Sequence, residues 1–190
     1  MRQTSVTRKT KETDIALSLC IDGGEISVNT GVGFFDHMLT AFAAHAGFGL
    51  TVQCQGDTRV DCHHTVEDIG IVLGTALYEI LGDKSNIARY GSFFVPMDEA
   101  LGFCAVDICN RSYLVFEAEF LQEKCGDFDV CMCEEFFRAV SDNAKITLHL
   151  RAPYGKNSHH IAEALFKAAG HAMSIATKKR DTTLSTKGSL

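Results

Sequence analysis

Apolar and polar residues alternate from Thr13 to Ile21 (Thr-Asp-Ile-Ala-Leu-Ser-Leu-Cys-Ile), a period of two that predicts a strand with one buried face. Asp22-Gly23-Gly24 reads as a turn into a second short run, Glu25 to Thr30, so the pair is expected to form a hairpin. From Phe34 to Ala46 the spacing becomes helical, Gly47 and Gly49 punctuate it, and Leu50 to Cys54 returns to the strand pattern. His63 to Leu81 then reads as a helix stopped at Gly82. The order is strand, strand, helix, strand, helix.

The second half follows the same order. Strand patterns at Gly102 to Cys109 and Tyr113 to Phe120 precede a helix at Val130 to Ala144, a strand at Ile146 to Leu150 and a helix from Ser158 to about Ala176. Gly49 to Glu67 aligns with Lys145 to Glu163 without a gap, and Asp36 to Ala46 aligns with Glu134 to Ala144 once Gly47 and Phe48 are treated as an insertion. An internal duplication accounts for both matches. The expected fold class is α+β, with two small, mostly antiparallel sheets, helices packed on one face of each, and a shared core. The whole chain reads as a single domain of two repeats, about 1–92 and 93–180, followed by a C-terminal tail at 181–190.

Composition narrows the partners. With 46% hydrophobic residues among 190, the chain can bury one real core. The net charge of -6 provides no broad basic face, which argues against a nucleic-acid partner. The opening residues are polar and no later run stays apolar long enough to span a bilayer, so no membrane association is expected and a cytoplasmic protein is. Eight cysteines form no CxxC pair and accompany no secretion signal, so they read as reduced, mostly buried thiols. Cys131-Met132-Cys133 lacks a second Cys/His pair and is not read as a zinc site.

One motif survives in both halves: His63-His64-Thr65-Val66-Glu67 and His159-His160-Ile161-Ala162-Glu163, each opening a predicted helix. Residues four apart share a helix face, so His63 with Glu67, and His159 with Glu163, can each converge on one ion. His64 and His160 point about a quarter turn away and read as ligands of a second ion, supplied in part by another element or subunit. Four imidazoles beside two carboxylates make little sense buried without a cation. Zinc, iron, nickel and manganese all suit nitrogen with carboxylate, and the HExxH order of zinc proteases is absent.

Three segments, Gly33-Phe-Phe-Asp-His-Met-Leu39, Asp61-Cys-His-His-Thr-Val-Glu-Asp68 and Asn157-Ser-His-His-Ile-Ala-Glu-Ala-Leu-Phe-Lys167, resemble the signatures of the imidazoleglycerol-phosphate dehydratases, as does the ending Leu184-Ser-Thr-Lys-Gly188. The resemblance implies two Mn²⁺ ions per active site, held by His37, His63, His64, Glu67, His159, His160 and Glu163, with ligands drawn from neighbouring subunits. It also implies a homo-oligomer of 24 subunits built from trimers. Where the family often has a further histidine, in an EHFF segment, this chain reads Glu134-Glu135-Phe136-Phe137, and the repeat alignment sets Glu135 opposite His37. Glu135 either replaces that ligand with a carboxylate or does not bind.

For a phosphorylated imidazole substrate the resemblance points to Arg89, Arg111, Lys167, Ser185 and Lys187 as phosphate-binding residues, the tail residues forming an anion nest. Asn110-Arg111-Ser112-Tyr113 stands where the family usually has Gly-Arg-Pro-Tyr. Glu12 matches the family's acid/base glutamate, with His45 as runner-up. His149 and His171 read as structural. The implied reaction is a dehydration of D-erythro-imidazole glycerol phosphate to imidazole acetol phosphate in histidine biosynthesis, through a metal-bound imidazolate and a diazafulvene-like intermediate. From the histidine and carboxylate inventory alone, a two-metal hydrolase of a small phosphorylated substrate and a metal-stapled structural assembly protein stay open.

Overall fold

The computed structural model describes residues 1–182. The first half contains strands β1 (Gln3–Lys9), β2 (Thr13–Cys20) and β3 (Ile26–Asn29), helix α1 (Gly33–Ala46), strand β4 (Gly49–Gly56) and helix α2 (His63–Leu81). The second runs β5 (Tyr90–Met97), β6 (Ala100–Asp107), β7 (Tyr113–Glu117), the short pair β8 (Lys124–Cys125) and β9 (Phe128–Asp129), α3 (Met132–Ala144), β10 (Thr147–Tyr154) and α4 (Ser158–Ala176). The two four-stranded sheets have the orders β1-β2-β4-β3 and β5-β6-β10-β7, the same topology element for element.

The expected helices form close to their predicted bounds, but each sheet gains a strand that the alternation does not reveal. In β1, Gln-Thr-Ser-Val-Thr-Arg-Lys, the side chains alternate only between exposed and half-buried. As an edge strand it is held by pairing with β2, from Gln3 opposite Cys20 to Lys9 opposite Asp14, and has no apolar stripe to announce it. In β5, adjacent Phe93 and Phe94 and the nearby Pro96 obscure the period.

The expected hairpin between the runs at 13–21 and 25–30 does not form. β4 lies between β2 and β3, antiparallel to β2 and parallel to β3. Parallel neighbours require a crossover, and α1 is that crossover. The glycines of the turn serve a close approach instead. A Cβ on Gly49 would lie 2.8 Å from the Cα of Gly24, so the turn passes tightly over the start of β4.

Alternation in β2 buries Ile15, Leu17 and Leu19, and in β6 it buries Cys104 and Val106. α1 and α2 cover the first sheet and α3 and α4 the second, while α1 packs on α4 and α2 on α3. The two halves therefore share one core. Phe35 of α1 meets Phe136 of α3 edge to face, and Phe136 stacks on Phe166 of α4, with ring centroids 5.3 Å apart at each step. A Cβ on Gly70 would come within 2.8 Å of both the Ala139 Cβ and the Phe136 carbonyl, so α2 and α3 touch nearly backbone to backbone. Replacing Gly70 by Val is expected to cost about 1–3 kcal/mol by overpacking. Urea unfolding reads this, and an unchanged midpoint would contradict the tight seam.

All eight cysteines are free thiols, with Cys62, Cys104, Cys109 and Cys133 buried, and burial pushes the Cys104 thiol up to about 12. No helix among the described residues is long and apolar enough to cross a membrane.

Candidate metal centre

Both HHxxE motifs open a helix, and each opening is held in the same way. Asp61 accepts a hydrogen bond from the His63 backbone N–H at 2.8 Å, and Asn157 accepts one from the His159 N–H at 2.9 Å. These acceptors satisfy donors that a first helical turn leaves unpaired, and they fix where each motif starts on its helix. The i to i+4 spacing then brings His63 Nε2 to 3.5 Å from Glu67 and His159 Nε2 to 3.2 Å from Glu163.

The packing of α1 on α4 adds a third donor to the second motif. His37 Nε2 lies 3.5 Å from Glu163 Oε2. His37, His159 and Glu163 each offer a ligand atom, all within 4.8 Å of one another. Phe34 sets its ring edge on to His159, with centroids 4.9 Å apart, and walls one side of the group. Glu163 is only 6% exposed. Burial opposes its ionisation, but the hydrogen bond and charge of Lys167, 2.8 Å away, and those of His37 outweigh it, so the carboxyl sits below its usual range. A buried carboxylate facing two imidazoles is a donor set suited to a divalent cation of the first transition row.

The second histidine of each motif faces another pair of carboxylates. His64 Nδ1 is 3.0 Å from Asp57, and its Nε2 is 3.8 Å from Glu12. His160 Nδ1 is 2.8 Å from Glu99, and its Nε2 is 3.8 Å from Asp98. The hydrogen bond to Asp57 raises the pKa of His64, and that to Glu99 raises the pKa of His160. Asp57, Asp98 and Glu99 belong to neither repeated motif. Glu99 immediately precedes β6 as Glu12 immediately precedes β2, so the two hold equivalent places in the two halves.

Residues 30–173 match the family described as Imidazoleglycerol-phosphate dehydratase. The chain belongs to the imidazoleglycerol-phosphate dehydratase family. It is 57% identical to the imidazoleglycerol-phosphate dehydratase of Acetivibrio thermocellus, over all of this chain and 99% of that one. It is 59% identical to the one of Bacillus thuringiensis, over 94% and 93% of the two chains. The crystal structure of imidazoleglycerol-phosphate dehydratase from Staphylococcus aureus superposes with a TM-score of 0.85 at 44% identity, over 93% of this chain and 99% of that one. That of IGPD from Pyrococcus furiosus gives 0.86 at 38%, over 97% and 100%.

In this member of the imidazoleglycerol-phosphate dehydratase family, of the remaining candidate residues Lys167 contacts the three-donor group, through Glu163. Glu12 is exposed at the tip joining β1 and β2, where its backbone carbonyl accepts from the Asp57 N–H at 3.0 Å. Glu135 stands half-buried on α3, 4.0 Å from Arg138, and does not join His63 and Glu67 in a donor group as close as that of His37. His45 lies two turns beyond His37, with Nδ1 2.8 Å from the Ala41 carbonyl. Its ring meets His171, which stacks on Phe93, so His45 stands apart from the donors.

Arg89 is clamped on Asp107 through two hydrogen bonds of 2.7 and 3.1 Å. Arg111 is exposed in the loop between β6 and β7, and Lys167 bonds Glu163. Ser185 and Lys187 lie outside the described residues. His149 is exposed on β10.

Proposed function

We propose that this chain dehydrates D-erythro-imidazole glycerol phosphate to imidazole acetol phosphate in histidine biosynthesis, in the cytoplasm, with two Mn²⁺ ions per active site. The observation that carries this reading is the convergence of His37 from α1 with His159 and Glu163 from α4, in a chain of this family. The reading takes the two halves, about 1–92 and 93–180, as repeats within one domain, and the matching sheet orders support it.

His37, His159 and Glu163 would hold one ion, and His63, Glu67, His64 and His160 the remaining positions, with Glu135 as a further carboxylate donor. Bound metal supplies Lewis acidity, lowering the energy of charge that builds on the imidazole ring as water leaves. The HHxxE of α2 lacks a third close donor among the described residues of its own chain, which favours sites completed by neighbouring copies. An assembly of 24 subunits built from trimers would complete them.

In the reaction the hydroxyl departs from the carbon attached to the ring, and a base takes the proton of the neighbouring carbon. The resulting enol becomes the ketone. Glu12 stands 3.8 Å from the Nε2 of His64 and serves as that base. Arg111, with Ser185 and Lys187 of the tail, provides positive charge and hydroxyl donors for the phosphate. Lys167 and Arg89 already hold Glu163 and Asp107, and their part is to add positive charge that attracts the phosphate.

The test is turnover of imidazole glycerol phosphate by metal-stripped protein, with and without Mn²⁺, following ketone and free phosphate together. Ketone that appears only with Mn²⁺ and without phosphate release is the expected result. Phosphate release would instead reveal a hydrolase, and metal uptake without turnover a structural assembly.

The same titration has a pH signature. Because carboxylate partners raise the pKa of His64 and His160, these rings stay protonated to higher pH than a free histidine, and a metal must displace those protons. Mn²⁺ affinity is therefore expected to fall with decreasing pH, starting at a higher pH than unperturbed histidines would give, with protons released on binding. Uptake independent of pH would remove these two rings from the ligand set.

A further inference from the structure

A neutral imidazole has one N–H and one lone pair, and only the nitrogen with the lone pair can ligate. Which nitrogen that is depends on what the other one bonds. At His160 the answer is set from outside α4. Glu99 Oε2 accepts from Nδ1 at 2.8 Å, which puts the hydrogen on Nδ1 and leaves the lone pair on Nε2.

The other oxygen of the same carboxylate accepts two backbone N–H groups, from Lys156 at 3.0 Å and Asn157 at 2.7 Å. Asn157 in turn accepts from the His159 N–H. One side chain thus ties the turn between β5 and β6 to the loop that opens α4 and to the His160 ring.

The first half does this differently. Glu12 occupies the place before β2 that Glu99 occupies before β6, yet it does not reach Nδ1 of His64, and Asp57 from the end of β4 bonds that nitrogen instead. Each second histidine thus has its Nδ1 bonded by one carboxylate, while another stands 3.8 Å from its Nε2. The two halves differ in which element supplies each.

We propose that Glu99 is a positioning residue of the metal centre, which holds His160 in the tautomer and orientation that offer Nε2 to an ion. This rests on the reading of His160 as a ligand given above. Glu12, relieved of the equivalent task by Asp57, is free for proton transfer, whereas Glu99 is not.

Glu99→Gln separates ring orientation from loop anchoring. The amide oxygen remains on the Lys156 and Asn157 N–H groups, because turning it round would set an NH₂ against two donors. The NH₂ then faces His160 Nδ1 and favours the tautomer with hydrogen on Nε2, which cannot ligate. Glu99→Ala loses both functions.

Free Mn²⁺ is measured by electron paramagnetic resonance as metal-depleted full-length protein is titrated, alongside thermal melting of the same metal-free samples. Glu99→Gln is expected to melt like the wild type and to bind one class of Mn²⁺ about 10–100-fold more weakly. Glu99→Ala is expected to lose affinity and to melt lower. Wild-type affinity in Glu99→Gln overturns the proposal, as does a lower melting temperature that accounts for its loss of binding. A wild-type protein that takes up no Mn²⁺ overturns the metal reading itself, and the role of Glu99 with it.

Discussion

Glu163→Gln is expected to lower turnover at least about a thousandfold and to strip the three-donor group of its metal, the scale of the several kcal/mol that a Lewis acid contributes to a charged transition state. Glu163 faces His37 at 3.5 Å, His159 at 3.2 Å and Lys167 at 2.8 Å. The substitution keeps the volume and removes the negative charge. Its NH₂ would stand among a lysine ammonium and two imidazoles, and nothing there would offset the repulsion between Lys167 and an incoming cation.

Metal content by elemental analysis and ketone formation at saturating Mn²⁺ are the two readouts. A variant that keeps its full metal complement and turns over at the wild-type rate would remove Glu163 from the site. Retained metal with lost turnover would shift its role from ligand to partner of Lys167.

How the site could be read in advance follows from what each residue's position depends on. His159 and Glu163, like His63 and Glu67, are paired by helical spacing alone, so the motif already places them on one face. His37 depends on α1 packing against α4, a contact between halves. Local periodicity carries no information about it, and only the family resemblance brought His37 in. Glu99 and Asp57 are more remote still, since they act through strand ends whose pairing partners had to be known first.

The hairpin expected from Asp22-Gly23-Gly24 failed for a related reason. A turn signal says that the chain reverses, not which strand it pairs with, and β4 enters between β2 and β3 because α1 returns the chain over the sheet. β2 and β6 were legible because one of their faces is buried, whereas β1 was not, because its stabilisation is backbone pairing and an ion pair between Arg8 and Asp68 rather than an apolar stripe. The repeat in sequence and the repeat in topology nonetheless agree where both are visible: His63 and His159 each open the last helix of a half.

The last expected result concerns the proton. Glu12→Gln should reduce kcat about 10²–10⁴-fold, the usual worth of a positioned general base, while leaving Mn²⁺ binding and melting temperature as they are. The structure makes this a clean substitution. Glu12 joins the fold through its backbone, donating from its N–H to Thr10 Oγ1 at 3.0 Å and accepting from the Asp57 N–H at 3.0 Å, and both survive in the amide. Its carboxylate is exposed, and its charged partner is His64 at 3.8 Å, too far for a hydrogen bond that would hold the ring. His64 is bonded by Asp57 instead, so its geometry does not depend on Glu12.

A loss confined to kcat, with KM and metal content unchanged, therefore isolates proton transfer from binding. Near-normal turnover in Glu12→Gln with both metals retained would remove Glu12 as the base. His45→Asn is the paired control. His45 packs against His171 away from the three donors, so its replacement is expected to leave kcat within a few-fold of wild type, and a collapse of kcat there would move the base from the β1–β2 tip to α1.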